Sequence, residues 1–176
     1  IIGFSVLFSL TGVFLGLVVF RQDFVIIMTM IGIISLAGVV VNNAIVLIDY
    51  TNLLIDRRKE ELELGEDDLL PFSEIVPIIV QGGRTRLRPV LLTAITTVLG
   101  LLPLAIGINV DFVSLLAEYD AKMYIGGDNN IFWKPMSWAI IYGLTFATFL
   151  TLVIVPVMMW YLTRAQYKWV KRLPLT

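Results

Sequence analysis

Two residue types are missing from this chain of 176 residues, which has no cysteine and no histidine. Without cysteine it can form neither disulfides nor thiolate metal sites. Without histidine it has no imidazole to relay protons near neutral pH or to activate a nucleophile. Charged residues are also scarce, at 15%, and the formal net charge of -1 gives no strong field that would attract nucleic acid. We therefore expect no cofactor, no metal site, no nucleic-acid partner and no enzyme activity.

Apolar residues are in excess: they make up 58% of the chain and give a mean hydropathy of +0.88. They are concentrated in four long blocks, with the charges almost entirely between them, which is typical of a polytopic membrane protein. The fold class predicted is all-α and integral to the membrane. The four predicted transmembrane helices are residues 1–20, 24–54, 89–108 (beginning at Pro89) and 135–163.

The first residues predict that the chain is part of a longer protein. It opens with Ile1-Ile2-Gly3-Phe4, without an initiator methionine and without the basic start of a signal peptide. We therefore expect residue 1 to lie inside a helix of a larger protein.

Basic residues between the blocks predict the orientation. The segment 55–88 carries six of the 13 lysines and arginines and the tail 164–176 carries four, whereas 21–23 carries one and 109–134 carries two. The positive-inside rule places 55–88 and the C-terminus in the cytoplasm and 109–134 in the periplasm. The expected location is the inner (cytoplasmic) membrane.

Both long loops show signs of structure. In 55–88, the apolar side of Leu69–Val80 predicts a short interfacial amphipathic helix that Gly82-Gly83 ends. The acidic stretch Glu60–Asp68 is expected to be a solvated turn. The loop 109–134 is compatible with either a short helix at 112–122 or a small hairpin.

Polar residues recur on one face of several predicted helices, and in a membrane such side chains face a bundle interior or a water path. They fit a hydrated proton or ion path, or simple hydrogen bonding between helices. No carboxylate lies mid-span, because Asp49 is close to the cytoplasmic end. The residues are Ser35, Asn42, Asn43 and Asp49 in the second helix, Arg86, Thr93, Thr97 and Gly100 in the third, and Thr145, Thr148 and Thr151 in the fourth. In the first helix, the Gly12-x-x-x-Gly16 motif predicts close packing.

Several runs resemble a known family. The run Gly38–Tyr50 (GVVVNNAIVLIDY) resembles the tenth transmembrane helix of resistance-nodulation-division (RND) pumps of the hydrophobe/amphiphile efflux branch. The run Arg84–Thr93 (RTRLRPVLLT), continued by Leu99–Ala105, resembles their eleventh helix. Phe146–Thr148 and Val155–Val157 resemble the twelfth, so the first block corresponds to the ninth.

The resemblance implies a homotrimeric, proton-driven multidrug antiporter that works with a periplasmic adaptor and an outer-membrane channel. Its other expected partners are membrane lipids and the rest of its own chain. In this family an aspartate pair on the fourth helix takes up protons, and large periplasmic domains bind drugs. Both would lie outside this chain.

By motif position, the resemblance assigns Arg86, Thr93 and Asn42 to the proton relay, with Asn43 and Thr97 as supporting polar residues. Many members carry a lysine where this chain has Asn42. Asparagine carries no positive charge, so coupling here must differ in detail or use another cation. The long segment 109–134 also departs from the family pattern.

Other functions remain open. A related exporter could carry metal ions or lipids, or assist protein translocation. In a different class of function, the chain could be a non-transporting membrane scaffold or anchor, whose polar faces only hold helices together.

Overall fold

The computed structural model describes residues 1–65, 70–110 and 123–170. Four helices contain most of them, and each is long and apolar enough to cross a membrane. The predicted all-α membrane fold with four span-length helices is therefore confirmed. The helices are α1 (Ile2–Val19), α2 (Ile26–Glu61), α3 (Phe72–Ile106) and α4 (Asp128–Val170).

The helices differ in how far they exceed a membrane span. Helix α1 has 18 residues, about 27 Å at the usual rise, which is close to the thickness of a hydrocarbon core. Helix α2 has 36 residues, about twice that length. Its last turns carry Arg57, Arg58 and Lys59, so they extend beyond the apolar layer. The stretch predicted as a solvated turn begins inside this helix, which continues to Glu61.

The predicted interfacial helix and the third predicted span form one continuous helix. Helix α3 begins after Pro71 and runs through the glycine pair to Ile106. The prediction that Gly82-Gly83 ends a separate helix is therefore wrong. Neither glycine has a positive φ, and Gly82 is buried against Thr51 of α2. This packing offsets the helix-propensity cost of about 1 kcal/mol for a glycine. Pro89, expected at the start of a span, lies inside α3.

Helix α3 ends at Gly107, which adopts the left-handed conformation with φ 87° that favours glycine at a helix C-terminus. Strand β1 (Ile108–Val110) follows and pairs antiparallel with β2 (Met123–Ile125). The register places Ile108 opposite Ile125. Of the two alternatives for this loop, the hairpin is therefore present in its two strands. The alternative helix at 112–122 falls outside the described residues.

Helix α4 is the centre of the bundle, because it packs against α1, α2 and α3. One apolar cluster joins α1, α2, α3 and α4 around Val13, Leu36, Ala94 and Leu144. A second cluster joins α2, α3 and α4 toward the cytoplasmic side, around Leu47, Ile78, Val155 and others. The two clusters fix the depth of α2 relative to α3 and α4, and hence the register of their polar residues.

The Gly12-x-x-x-Gly16 motif packs α1 onto α4. A Cβ on Gly12 would lie 2.6 Å from Cβ of Phe146, and one on Gly16 would overlap Cβ of Tyr142. Both obstacles are atoms next to the α4 backbone, so they cannot move aside cheaply. The predicted packing role of the two glycines is confirmed.

Candidate functional site

The candidate site is built on the exposed polar faces of two neighbouring helices. On α2 the exposed residues are Ser35, Gly38 and Asn42, and on α3 they are Thr93 and Gly100. A Cβ added to Gly38 or Gly100 would meet nothing within 4 Å. We refer to these five residues as the polar strip. Polar side chains at membrane depth normally face a bundle interior or water rather than lipid, so we expect further helices to cover the polar strip.

The relative depth of the two helices is fixed by two contacts. The guanidinium carbon of Arg86 lies 4.2 Å from the centre of the Tyr50 ring. One turn earlier on α3, Gly82 packs against Thr51. The two helices are therefore antiparallel at this level. Seven residues further along α3, about 10.5 Å at 1.5 Å per residue, Thr93 lies at the depth of Asn43.

Arg86 supplies the positive charge beside the strip. The side chain is half-buried, and its Nε is fully buried without a hydrogen-bond partner among the described residues. In the same part of the chain it forms no ion pair, although Asp49 is adjacent to Tyr50 in sequence. The ring of Tyr50 is therefore its recorded electrostatic contact.

The threonine hydroxyls of α3 donate within their own helix. Thr93 donates to the backbone carbonyl of Val90 at 2.9 Å, and Thr97 donates to that of Thr93 at 2.7 Å. Serine and threonine commonly donate in this way along a helix. These bonds use the hydroxyl protons and leave oxygen lone pairs that can accept from water. Within the described residues, these hydroxyls do not bond α3 to another helix.

The two asparagines occupy different environments. Asn42 is exposed, whereas Asn43 is half-buried. Neither side-chain amide makes a hydrogen bond within the described ranges, so each retains donors and an acceptor. Asn42 thus belongs to the polar strip, and Asn43 lies beside it.

The threonines of α4 do not form one polar face with the strip. Thr148 and Thr151 are buried. Thr145 is exposed in a groove of about 430 Å³ that Gly12 and Gly16 of α1 also line. Its hydroxyl donates to the carbonyl of Ile141 at 2.7 Å. Thr145 therefore faces α1, away from the α3 face.

A polar contact at the cytoplasmic side ties α2 to α3. Arg58 lies 3.1 Å from the carboxylate of Glu74 and 2.6 Å from that of Glu61. The spacing of three residues could have indicated the pair with Glu61, since such side chains are neighbours on a helix. The bond to Glu74 crosses between helices and has no comparable signal. In the part of the chain that the structure describes, no three carboxylates gather as a metal site would need.

Four apolar helices with polar, uncovered faces at membrane depth define a multi-pass membrane protein of the transporter type. Residues 1–114 match the model of the AcrB/AcrD/AcrF family. The chain belongs to this family of RND efflux transporters, which are multi-pass proteins of the inner membrane.

Named relatives have several biological roles. The chain is 34% identical over 154 residues to the swarming motility protein SwrC of Bacillus subtilis, covering 88% of this chain and 12% of that protein. It is 29% identical over 153 residues to the multidrug resistance protein MdtC of Erwinia tasmaniensis, covering 87% and 12%. It is 30% identical over 126 residues to the nickel and cobalt resistance protein CnrA of Cupriavidus metallidurans, covering 72% and 9%. The chain thus spans at most 12% of the length of these relatives. No solved structure matches the chain.

Proposed function

We propose that this chain is part of the membrane domain of a proton-driven multidrug efflux transporter and carries the accessory side of its proton relay. Arg86, Thr93 and Asn42 are the proposed relay residues, with Asn43 and Thr97 in support. The observation that carries the proposal is the polar strip itself, exposed at membrane depth two helical turns from a half-buried arginine. A merely structural face would be expected to bury its polar groups against each other.

The residue types suit a relay that transmits protons without binding them permanently. The oxygen of Thr93 can accept a hydrogen bond from water, and the amides of Asn42 and Asn43 can both donate and accept. Among the strip residues there is no carboxylate. The acid that takes up the proton therefore belongs to the remainder of the full protein, as the resemblance implies with an aspartate pair.

In this proposal Arg86 is the cation that responds to that acid. A guanidinium keeps its charge at every pH a cell meets, and it can bind a carboxylate through two parallel hydrogen bonds. When the acid is ionised, Arg86 attracts it; when it is protonated, the attraction weakens and the helices can shift. Asn42 cannot take this part, because an amide carries no charge.

The proposal extends to orientation and assembly. The six basic residues of segment 55–88 and the four of the tail favour a cytoplasmic location for both. By family resemblance, the full protein would be a homotrimer that joins a periplasmic adaptor and an outer-membrane channel.

Metal-ion export is the second candidate, favoured by the similarity to CnrA, whose name states nickel and cobalt resistance. The relay would be shared between the two candidates, because the polar strip concerns the proton and not the cargo. Cells that carry the full-length transporter can be challenged with drugs in one series and with nickel or cobalt in another. Protection against the drugs supports multidrug efflux, whereas protection against the metals alone transfers the proposal to metal export.

The relay assignment is tested in the full-length protein with Thr93→Ala and Arg86→Ala. Each substitution is expected to abolish resistance while the transporter is still expressed and inserted in the membrane. Thr145→Ala is the matched control for Thr93, because it removes a hydroxyl with the same intrahelical bonding on another face. Arg88→Ala is the control for Arg86, since Arg88 is exposed. Normal resistance in both test variants, at wild-type expression, would refute the relay.

A further inference from the structure

Arg86 has an unusual electrostatic environment for a half-buried cation. Its Nε is fully buried and has no hydrogen-bond partner among the described residues. Leaving a buried charged donor unpaired is costly. The neighbouring group that can offset this cost is the ring of Tyr50, whose centre lies 4.2 Å from the guanidinium carbon.

An aromatic ring stabilises a cation differently from a carboxylate. The negative face of the ring attracts the guanidinium within about 6 Å of its centre, but it does not form an ion pair. The positive charge therefore stays uncompensated, and the remaining N–H donors stay available to a carboxylate from another helix. A ring can thus hold the arginine in place and keep it reactive.

The packing of α2 and α3 fixes the ring at this distance. Gly82 lies one turn before Arg86, and a Cβ there would lie 2.7 Å from the hydroxyl oxygen of Thr51. Thr51 follows Tyr50 directly and is buried, and its hydroxyl donates to the carbonyl of Leu47 at 2.8 Å. Only a glycine lets the helices approach this closely. The same close approach brings Tyr50 to Arg86.

We propose that Tyr50 is a positioning residue for Arg86: its ring holds the guanidinium by a cation–π contact, so that the cation faces the relay with its donors free. The inference rests on the proposed function of Arg86 and adds a residue to it. Its hydroxyl is not needed for this role, because the contact is made by the ring. The quality that matters is the negative charge density on the ring face.

The test replaces Tyr50 in the full-length transporter with Phe, with Leu, and with phenylalanines that carry one, two or three ring fluorines. Fluorine withdraws charge from the ring face while barely altering its shape. Proton-coupled transport is measured after reconstitution and normalised to the amount of inserted protein. Tyr50→Phe is expected to retain most of the activity. Tyr50→Leu should lose about 3- to 30-fold, the range that a cation–π contact spans.

The fluorinated series separates positioning from packing. If the ring holds the cation, transport should fall stepwise with each added fluorine, which a purely structural role would not produce. Equal activity across the series, or full activity of Tyr50→Leu, would overturn the inference.

Arg86→Ala, measured alongside, distinguishes this failure from that of the proposed function. An inactive Arg86→Ala combined with a flat fluorine series leaves the relay intact and removes only the role of Tyr50. A fully active Arg86→Ala removes the relay role of Arg86 and the positioning role with it.

Discussion

The α1–α4 interface and the outer face of α3 are both apolar by composition, yet they are built in opposite ways. In α4, 44% of the most hydrophobic 18-residue stretch is buried, against 17% for α3. Gly12 and Gly16 place α1 directly on Phe146 and Tyr142, with no room for a methyl group. Gly100 of α3 has nothing within 4 Å.

The difference separates helix packing from what the helices expose. Small residues at a packed interface allow backbones to approach, and that is their function in α1. Small and polar residues on an open face of α3 have no such partner among the described residues. They are therefore expected to meet helices of the full protein, where their polarity can serve a water path.

The largest effect is expected from breaking the closed interface with Gly16→Ala. The added methyl would overlap Cβ of Tyr142, and overpacking of this kind costs roughly 1–3 kcal/mol. Thermal unfolding of the purified full-length protein should show a clearly lower midpoint. Gly3→Ala is the control, because its Cβ would meet nothing within 4 Å. An equal midpoint for the two variants would show that the α1–α4 contact is not tight.

A smaller effect on stability is expected from Gly82→Ala, at the contact that joins the closed core to the relay. Alanine gains about 1 kcal/mol of helix propensity, which offsets part of the clash with Thr51. Transport should suffer more than stability, because the helices separate beside Arg86. The double variant Gly82→Ala/Thr51→Ala removes the obstructing hydroxyl and should recover transport. A double variant as poor as the single one would contradict the close-approach argument.

The smallest effect is expected from Arg58→Ala, which removes the bond between the cytoplasmic ends of α2 and α3. The side chains of Arg58 and Glu74 are each 39% exposed, and such pairs typically contribute about 0–1 kcal/mol. The unfolding midpoint should fall slightly at low salt and not at all at high salt. A large fall that persists in high salt would mean that the pair anchors the two helices.

Hydropathy predicts the four helices because each must bury its own backbone hydrogen bonds in lipid. It does not predict that α3 continues through Gly82-Gly83, since that depends on Thr51 lying across the helix interface. The residues Thr93 and Asn42 follow from spacing and family resemblance. Tyr50 does not, because its contact with Arg86 depends on the register between two helices, which no local pattern encodes. The strands at Ile108 and Met123 were one of two open alternatives for the same reason.

The most direct test of the account compares Thr93→Ala with Thr145→Ala in the full-length transporter, reconstituted in liposomes with an imposed pH gradient. Each variant loses one threonine hydroxyl that donates within its own helix, but one lies on the polar strip and the other faces α1. The account predicts that Thr93→Ala abolishes substrate-coupled proton flux and that Thr145→Ala leaves it at the wild-type rate. Equal proton flux in the two variants would contradict the account and would leave the polar strip as a structural face only.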